Sequence, residues 1–521
     1  MSSDLIRLEI FKHLFAAIPE EMGAVLQRSS FSPNIKERRD FSCALFNAAG
    51  EMIAQAAHIP VHLGAMPLSV QAAIRTADFA EGDMLILNDP YQGGTHLPDI
   101  TLIAPIYTGG QLAGFAANRA HHADVGGMAP GSMPIARELI QEGLIIPPVK
   151  LIAGGVLQQG IWDLILRNTR SPWERGGDLR AQIAANQRGV ERLAALIANH
   201  GLDEVKHYSQ ALLEYTERLT RALLADIPDG SYAFEDYLDD DGISDQPIKI
   251  RVTIQIEGDV ASVDFAGSDP QAAGSVNAVY AITLSAVYCV FRCLVASEVP
   301  NNAGSLRAIQ VLAPVGSIVN ARPPAPVAGG NVETSQRIVD VLLGALAQAL
   351  PGRIPAASQG TMNNTLIGGW DALRQRAYTY YETIGGGMGA RPTSHGPSAI
   401  HSHMTNTLNT PVEAMEYAYP IQVVRYEVRA GSGGTGRFSG GDGLRRDLLL
   451  KADATASLLS ERRRRQPYGL AGGQPGACGE NALIRDGQET ELPSKGEVEL
   501  RAGDILSVRT PGGGGWGKLP E

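Results

Sequence analysis

The chain has 521 residues, enough for roughly two to four domains, and sets 44 Lys+Arg against 55 Asp+Glu for a formal net charge of −11. That balance argues against a nucleic-acid or anionic-membrane binder, and no apolar run approaches the length needed to span a bilayer. The four cysteines, Cys43, Cys289, Cys293 and Cys478, show no C-x-x-C spacing and read as buried, reduced thiols. The Met-Ser-Ser-Asp-Leu-Ile-Arg start lacks the pattern of a secretory leader, so a cytoplasmic protein is expected.

In chain order, Leu5, Leu8, Phe11, Phe15, Ile18, Met22 and Leu26 recur at three- and four-residue steps and predict a helix over 4–28. From 39 to 126 the pattern changes to short strands and turns, with Cys43–Phe46, Met84–Leu87, Ile100–Ala104 and Leu112–Ala117 as the apolar runs. Residues 135–146 and 160–226 are predicted mainly helical, strands return over 230–268, and apolar helices follow at 276–297 and 331–350. From 360 onward the chain is glycine- and strand-rich, closing on Thr510-Pro511-Gly512-Gly513-Gly514-Gly515-Trp516-Gly517. These pieces predict an α+β fold, multi-layered and glycine-rich, with mixed sheets and a helical insert. The expected regions are an N-terminal α+β region (1–135), a mainly helical region (136–229), an α+β middle (230–359) and a β-rich C-terminal region (360–521).

The densest chemistry lies in Asn88-Asp89-Pro90-Tyr91-Gln92-Gly93-Gly94-Thr95-His96-Leu97-Pro98-Asp99 and in His121-His122-Ala123-Asp124. Three carboxylates and three imidazoles crowd there, in a chain with only 11 histidines. Each segment follows a predicted strand, where ligating side chains are commonly mounted. Oxygen and imidazole nitrogen suit hard-to-borderline divalent metals, and a set of them with an open position polarises a carbonyl or activates water. Adjacent His121 and His122 alternate faces if extended, so one ligates while the other supports it or carries a proton. Asp124 or Asp99 would fix the ligand's tautomer. Asp40, after Glu37-Arg38-Arg39, reads from its neighbours alone as a salt-bridge partner.

Other histidines carry weaker signals. His58 and His62 flank Pro60 and read more readily as packing than as ligands. His395, His401 and His403 form a third cluster, open between a metal or substrate pair and hydrogen-bonded scaffolding. Glu382, Glu413 and Glu416 stand in turn-rich settings. The run Arg462–Arg465 reads as a solvated or carboxylate-paired surface turn. No phosphate-cradling G-x-x-x-x-G-K-[ST] loop is present, so any ATP would be held by another chain.

Taken together, Arg39-Asp40-Phe41-Ser42-Cys43-Ala44-Leu45-Phe46, the 88–99 and 121–127 segments, Gly329-Gly330-Asn331-Val332-Glu333-Thr334-Ser335-Gln336-Arg337, Ser358–Asn364, Tyr381–Gly387 and the closing glycine run resemble the hydantoinase B/oxoprolinase family over essentially the whole chain. The resemblance implies a divalent metal (Zn, Mn or Mg) held by Asp40, His96 and His121. His122 and Asp124 are then expected in catalytic roles, and Asp89 and Asp99 as supporting or alternative ligands. It also implies a hydantoinase A-type ATPase subunit as partner, in an A2B2 or larger hetero-oligomer. The expected reaction is ATP-dependent opening of a small cyclic amide (a hydantoin, 5-oxoproline or a lactam) by metal-bound water. The alternatives are a component of an ATP-dependent ketone carboxylase and a non-catalytic assembly subunit.

Overall fold

The structure, a computed structural model, describes residues 2–56, 59–296 and 298–519, with side chains from Asp4 onward. The predicted N-terminal helix runs Ser2–Ser29, and Phe11, Phe15, Ile18, Met22 and Leu26 of its apolar stripe are all buried. They pack with Phe41, Cys43 and Leu45 of strand Phe41–Asn47 and with Ala181, Ala185 and Leu193 of helix Pro172–His200. The alternate residues Ala44 and Phe46 join a second core with Met66, Val70 and Ala73 of helix Ala65–Thr76. This period-two split shows a sheet covered on both faces, which explains why its strands read as continuous apolar runs.

That sheet has seven antiparallel strands in the order Met52–Ala56, Phe41–Asn47, Gln111–His121, Asp99–Thr108, Met84–Leu87, Val149–Ala153 and Val156–Leu157. A four-stranded sheet follows (Gly230–Leu238, Ile248–Glu257, Val260–Asp264 and Ile309–Leu312), with the last pair parallel. Helix Ser335–Ala349 lies on this sheet and against helix Tyr280–Leu294. The C-terminal part forms a four-stranded sheet (Asn364–Asp371, Arg376–Glu382, Ala454–Leu459 and Lys495–Leu500) and a five-stranded one that begins at Ile421–Arg429. Mixed helices and several sheets are thus the observed class.

Residues 135–146, expected to be helical, form only the short turn Leu139–Gln141. Their backbone donors are committed elsewhere: Leu139 N bonds Pro324 O at 2.8 Å and Leu144 N bonds Val125 O at 2.9 Å. The arginine run also differs from expectation at its first residue. Arg462 is buried, with Nη2 at 2.7 Å from both Asp236 and Asp340, and Arg337 reaches Asp236 at 3.0 Å. Lys495 meets Glu461 at 2.6 Å. Burial of Arg337, Asp340, Glu461, Arg462 and Lys495 is tolerable because each is paired, and the pairs to the half-buried Asp236 tie the middle sheet to the C-terminal sheets.

The closing glycine run is the other tie. Gly513 N bonds Gly441 O at 2.9 Å, Gly514 N bonds Ala357 O at 2.8 Å, and Gly515 N bonds Gln474 O at 2.8 Å. In return, Ala390 N bonds Gly514 O at 2.9 Å and Gly387 N bonds Pro511 O at 3.0 Å. Backbones pack here with no room for side chains: a Cβ on Gly387 would stand 1.9 Å from Gly441 O, and one on Gly513 2.2 Å from Met388 O. Gly387→Ala is therefore expected to destabilise the protein by about 3 kcal/mol, read as a lower melting temperature. Gly352→Ala, with nothing within 4 Å of its Cβ, should leave the temperature within error of the parent. Equal melting of both variants would refute this account of the bundle.

Candidate metal centre

Three adjacent strands end at one edge of the seven-stranded sheet and deliver the predicted ligands. Asp99 begins strand Asp99–Thr108, His121 ends strand Gln111–His121, and the register pairs them directly. On the other flank, His121 N bonds Asp40 O at 3.0 Å, so Asp40 stands beside His121 at the start of strand Phe41–Asn47. His96 arrives from the loop before Asp99. Asn88 pins that loop, its Oδ1 accepting from Ile146 N at 2.7 Å and its Nδ2 donating to Leu97 O at 2.8 Å. Asp89 caps the turn Pro90–Gln92 by accepting from Tyr91 N at 2.9 Å. Gly93 follows at φ 92°, the left-handed conformation that favours glycine.

The outcome is a buried triangle. His96 Nε2 lies 3.1 Å from Asp99 Oδ1, His121 Nδ1 lies 3.2 Å from the same oxygen, and the two nitrogens are 3.2 Å apart. Among the described residues this is the group of three whose ligand atoms converge closely enough for an ion. Ligand atoms about 2.1 Å from one ion, spread by roughly 90–109°, stand roughly 3.0–3.4 Å from each other. The triangle fits a divalent cation on that test. Two neutral imidazoles and one carboxylate are also a donor set that such a cation accepts.

Around the triangle, Thr95 Oγ1 donates to Asp99 Oδ2 at 2.6 Å and His62 Nε2 lies 3.4 Å from the same oxygen. Burial opposes the charge of Asp99, yet His96, His121 and His62 hold its carboxyl well below the usual carboxylate range. Burial pushes the imidazole of His121 down, against the pull of Asp99 and Asp40, which keeps a lone pair available. Asn331 Nδ2 approaches His96 Nε2 at 3.1 Å. A cavity of about 20 Å³ opens beside the triangle, lined by Asp40, His62, Asp99, His121, Asn331 and Tyr381, by the threonines Thr383, Thr405 and Thr407, and by apolar residues. Tyr381 stacks on His121 with ring centroids 4.4 Å apart.

The sequence-predicted residues thus divide. The structure brings Asp40, Asp99 and His121 to one cavity, with Asp99 joining His96 and His121 in the ligand triangle and the Asp40 carboxylate 3.9 Å from Arg38. Asp89 shapes the loop. His122 and Asp124 do not reach the cavity, because strand alternation turns His122 to the opposite face. Gln182 Nε2 donates to Ile100 O and Asn118 Oδ1, so its Oε1 accepts from His122 Nε2 at 2.9 Å. Asp124 pairs with Arg170 at 2.8 Å. The third histidine cluster is dispersed: His395 Nδ1 accepts from Ser439 N at 2.9 Å, His403 meets Asp340 at 3.3 Å, and His401 lies near Arg38 and Glu382. Glu382 is taken up by Arg446, at 3.1 Å, and by Thr410 N. His58 lies outside the described residues.

Three contributors carry a weak site signal in the sequence or none. His62 reads as packing because Pro60 breaks its helical pairing with His58. Asn331 stands inside a family motif without a role of its own. The threonine wall has no local pattern, since Thr383, Thr405 and Thr407 meet only through tertiary folding.

A family model for hydantoinase B/oxoprolinase matches residues 4–519. The chain belongs to that family. Its relatives include an uncharacterised protein of Methanocaldococcus jannaschii, 44% identical over 99% of this chain and 91% of its own length. The 5-oxoprolinase 1 of Arabidopsis thaliana is 42% identical over 99% of this chain, which spans only 42% of that protein. A protein of a Pseudomonas species, named as the B component of a D-/L-hydantoinase, is 32% identical, with 99% and 90% covered. The crystal structure of an ATP-dependent caprolactamase from Pseudomonas jessenii superposes with a TM-score of 0.93 at 30% identity, covering 98% of this chain and 91% of that one. Acetone carboxylase shares the fold, with a TM-score of 0.90 at 19% identity over 98% of this chain and 75% of that one. Among the described residues of this hydantoinase B/oxoprolinase member, no helix is long and apolar enough to cross a membrane.

Two outcomes follow from the geometry. Elemental analysis of the purified chain should find about one divalent ion per molecule, lost in His96→Ala and Asp99→Ala and retained in Asp89→Ala; retention in the first two would contradict the triangle. His401, whose imidazole burial and Arg38 push down to about 4, gives a pH signature. The unfolded chain takes up that proton near 6.5, so the stability from holding the ring neutral is complete above ~6.5 and is lost as pH falls toward about 4. The loss is at most about 3 kcal/mol, and denaturant titrations of His401→Asn should show a flatter acid limb. An unchanged limb would dismiss this group as its source.

Proposed function

We propose that this chain is the metal-bearing, amide-cleaving half of an ATP-dependent cyclic-amide hydrolase, working with an ATP-using hydantoinase A-type subunit in a hetero-oligomer such as A2B2. The observation that carries the reading is the His96–Asp99–His121 triangle beside a cavity lined by the Asp40 carboxylate, which lies 3.9 Å from Arg38, and by a hydroxyl wall. The names of the relatives, 5-oxoprolinase, D-/L-hydantoinase and caprolactamase, give the substrate class as a hydantoin, an oxoproline or a lactam.

His96, Asp99 and His121 would hold the ion, with Asp40 completing the set or facing it across the cavity. A divalent metal there supplies Lewis-acid polarisation of the ring carbonyl. The remaining steps belong to the chain's own groups. Asp40, 6% exposed and lining the cavity, accepts the proton of the attacking water. His62, on the outer oxygen of Asp99, keeps that carboxylate oriented. Thr383 Oγ1 and Thr407 Oγ1, 2.8 Å apart, present hydroxyls to the ring's polar edge, while Val61, Val332, Met362 and Met404 exclude bulk water. About 20 Å³ accommodates an ion or a single water, so ring entry requires the wall to move. The segment Ser402–Thr410 supplies part of that wall without strand pairing.

ATP use is assigned to the partner. The chain accounts for 42% of the Arabidopsis oxoprolinase but 90% of the Pseudomonas hydantoinase component, which suits one function divided between two chains in some members and joined in others. The test combines this chain with its A-type partner, ATP and Mg²⁺, on hydantoin, 5-oxoproline and caprolactam, and in parallel on acetone with bicarbonate. ATP-dependent ring opening is expected, falling roughly a hundredfold or more in Asp99→Ala. Carboxylation without amide cleavage would replace this reading with the ketone carboxylase one.

A further inference from the structure

Two of the four cysteines meet on a single helical turn. Cys289 and Cys293 lie one above the other at the end of helix Tyr280–Leu294. Cys289 is buried, whereas Cys293, expected from the sequence to be buried, is exposed. Side chains four residues apart on a helix share one face, so the two thiols are neighbours. Val295, directly after the helix, is already extended at φ −84° and ψ 149°. Cys289 Sγ lies 3.9 Å from the carbonyl oxygen of His403, a residue in the left-handed region at φ 59°. Met404, Thr405 and Thr407 beyond it line the metal-site cavity.

The neighbouring Cys289 thiol outweighs burial and, with His403 and Arg292, lowers the Cys293 thiol below the ordinary cysteine range. The Cys293 thiol beside it and burial raise Cys289. Reactivity follows the exposed thiolate, so the two cysteines are chemically unequal, and the reactive one stands next to a partner able to resolve it.

We propose that Cys289 and Cys293 form a peroxide-responsive pair, with Cys293 as the attacking thiolate and Cys289 as the resolving thiol that closes a reversible disulfide. In the first step an electron pair on Cys293 Sγ attacks one oxygen of hydrogen peroxide. The O–O bond breaks, a sulfenic acid forms, and the departing hydroxide takes a proton to leave as water. In the second, Cys289 loses its proton and its sulfur attacks Cys293 Sγ. The S–O bond breaks and a second water leaves. The two thiols together give up two electrons and two protons, and the peroxide is reduced to water.

Geometry sets the character of the bond. Side chains one turn apart start with Cβ atoms about 5–6 Å apart, while a disulfide needs about 3.5–4.5 Å. The last turn must therefore unwind, the bond is strained, and thiol reductants open it readily.

The test treats the full chain with hydrogen peroxide, removes the excess, and counts alkylatable thiols after denaturation. The wild type is expected to lose two of its four thiols, with the mass of two hydrogens lost from the peptide spanning 289–293, and dithiothreitol should restore both. Cys289→Ser should stop at a sulfenic acid on Cys293, trapped by dimedone, and Cys293→Ser should keep Cys289 alkylatable. The proposal is overturned if wild-type Cys293 gains two or three oxygens while Cys289 stays alkylatable, or if Cys293 reacts no faster than Cys478.

Discussion

The site depends on one pairing: Asp99 and His121 stand directly opposite each other at the ends of neighbouring antiparallel strands. Period-two alternation along a strand admits no intermediate setting, and a slip of one residue would turn His121 to the far face and bring His122 forward. The register is held on both sides of His121, because strand Phe41–Asn47 pairs with the same strand and Asp40 O accepts from His121 N. His96 needs no strand of its own. It lies three residues before Asp99, and the Asn88-anchored loop folds it back onto the pair. A ligand triangle is thus fixed by backbone hydrogen bonds before any ion is considered, the preorganisation a metal site requires.

The second half of the molecule closes the site. Tyr381 and Thr383 come from the end of strand Arg376–Glu382 and the residue after it, and Met404–Thr407 from an irregular segment. Both are carried by C-terminal sheets whose attachment rests on the buried Arg337–Asp236–Arg462–Asp340 network and on the glycine bundle. Arg38 links the halves directly: its Nη2 donates to Thr383 Oγ1 at 2.7 Å, its Nη1 to Tyr381 O at 3.0 Å, and its Nη1 also meets Asn34, which in turn donates to His121 O at 2.6 Å. A guanidinium that satisfies the wall on one side and the ligand strand on the other couples cavity shape to ligand placement.

Much of this is legible in the sequence, and the gaps have physical causes. The 4–28 helix and strand Met84–Leu87 are readable because one apolar stripe or run faces one core. The structure of 135–146 is not, because its donors go to Pro324 and Val125, partners no local pattern can announce. At the site, the density of His and Asp in 88–99 and 121–124 points to the loop and strand end that the fold brings together. Which carboxylate joins the imidazoles is a matter of register, invisible in composition, so Asp99 ranks below Asp40 until the strands are paired. His122 and Asp124 draw attention by adjacency, yet alternation and Arg170 assign them to the other face. Asn331 and the threonines come from distant segments, and only folding brings them within reach.

The central claim is that His96 Nε2, Asp99 Oδ1 and His121 Nδ1 together hold one divalent ion. Crystals of the full chain grown with Mn²⁺, measured to collect its anomalous signal, test it most directly. The account predicts that the strongest anomalous peak lies within about 2.3 Å of all three atoms, with Asp40 on its open side. A strongest peak elsewhere, or no peak between these atoms in a Mn²⁺-saturated crystal, would contradict it.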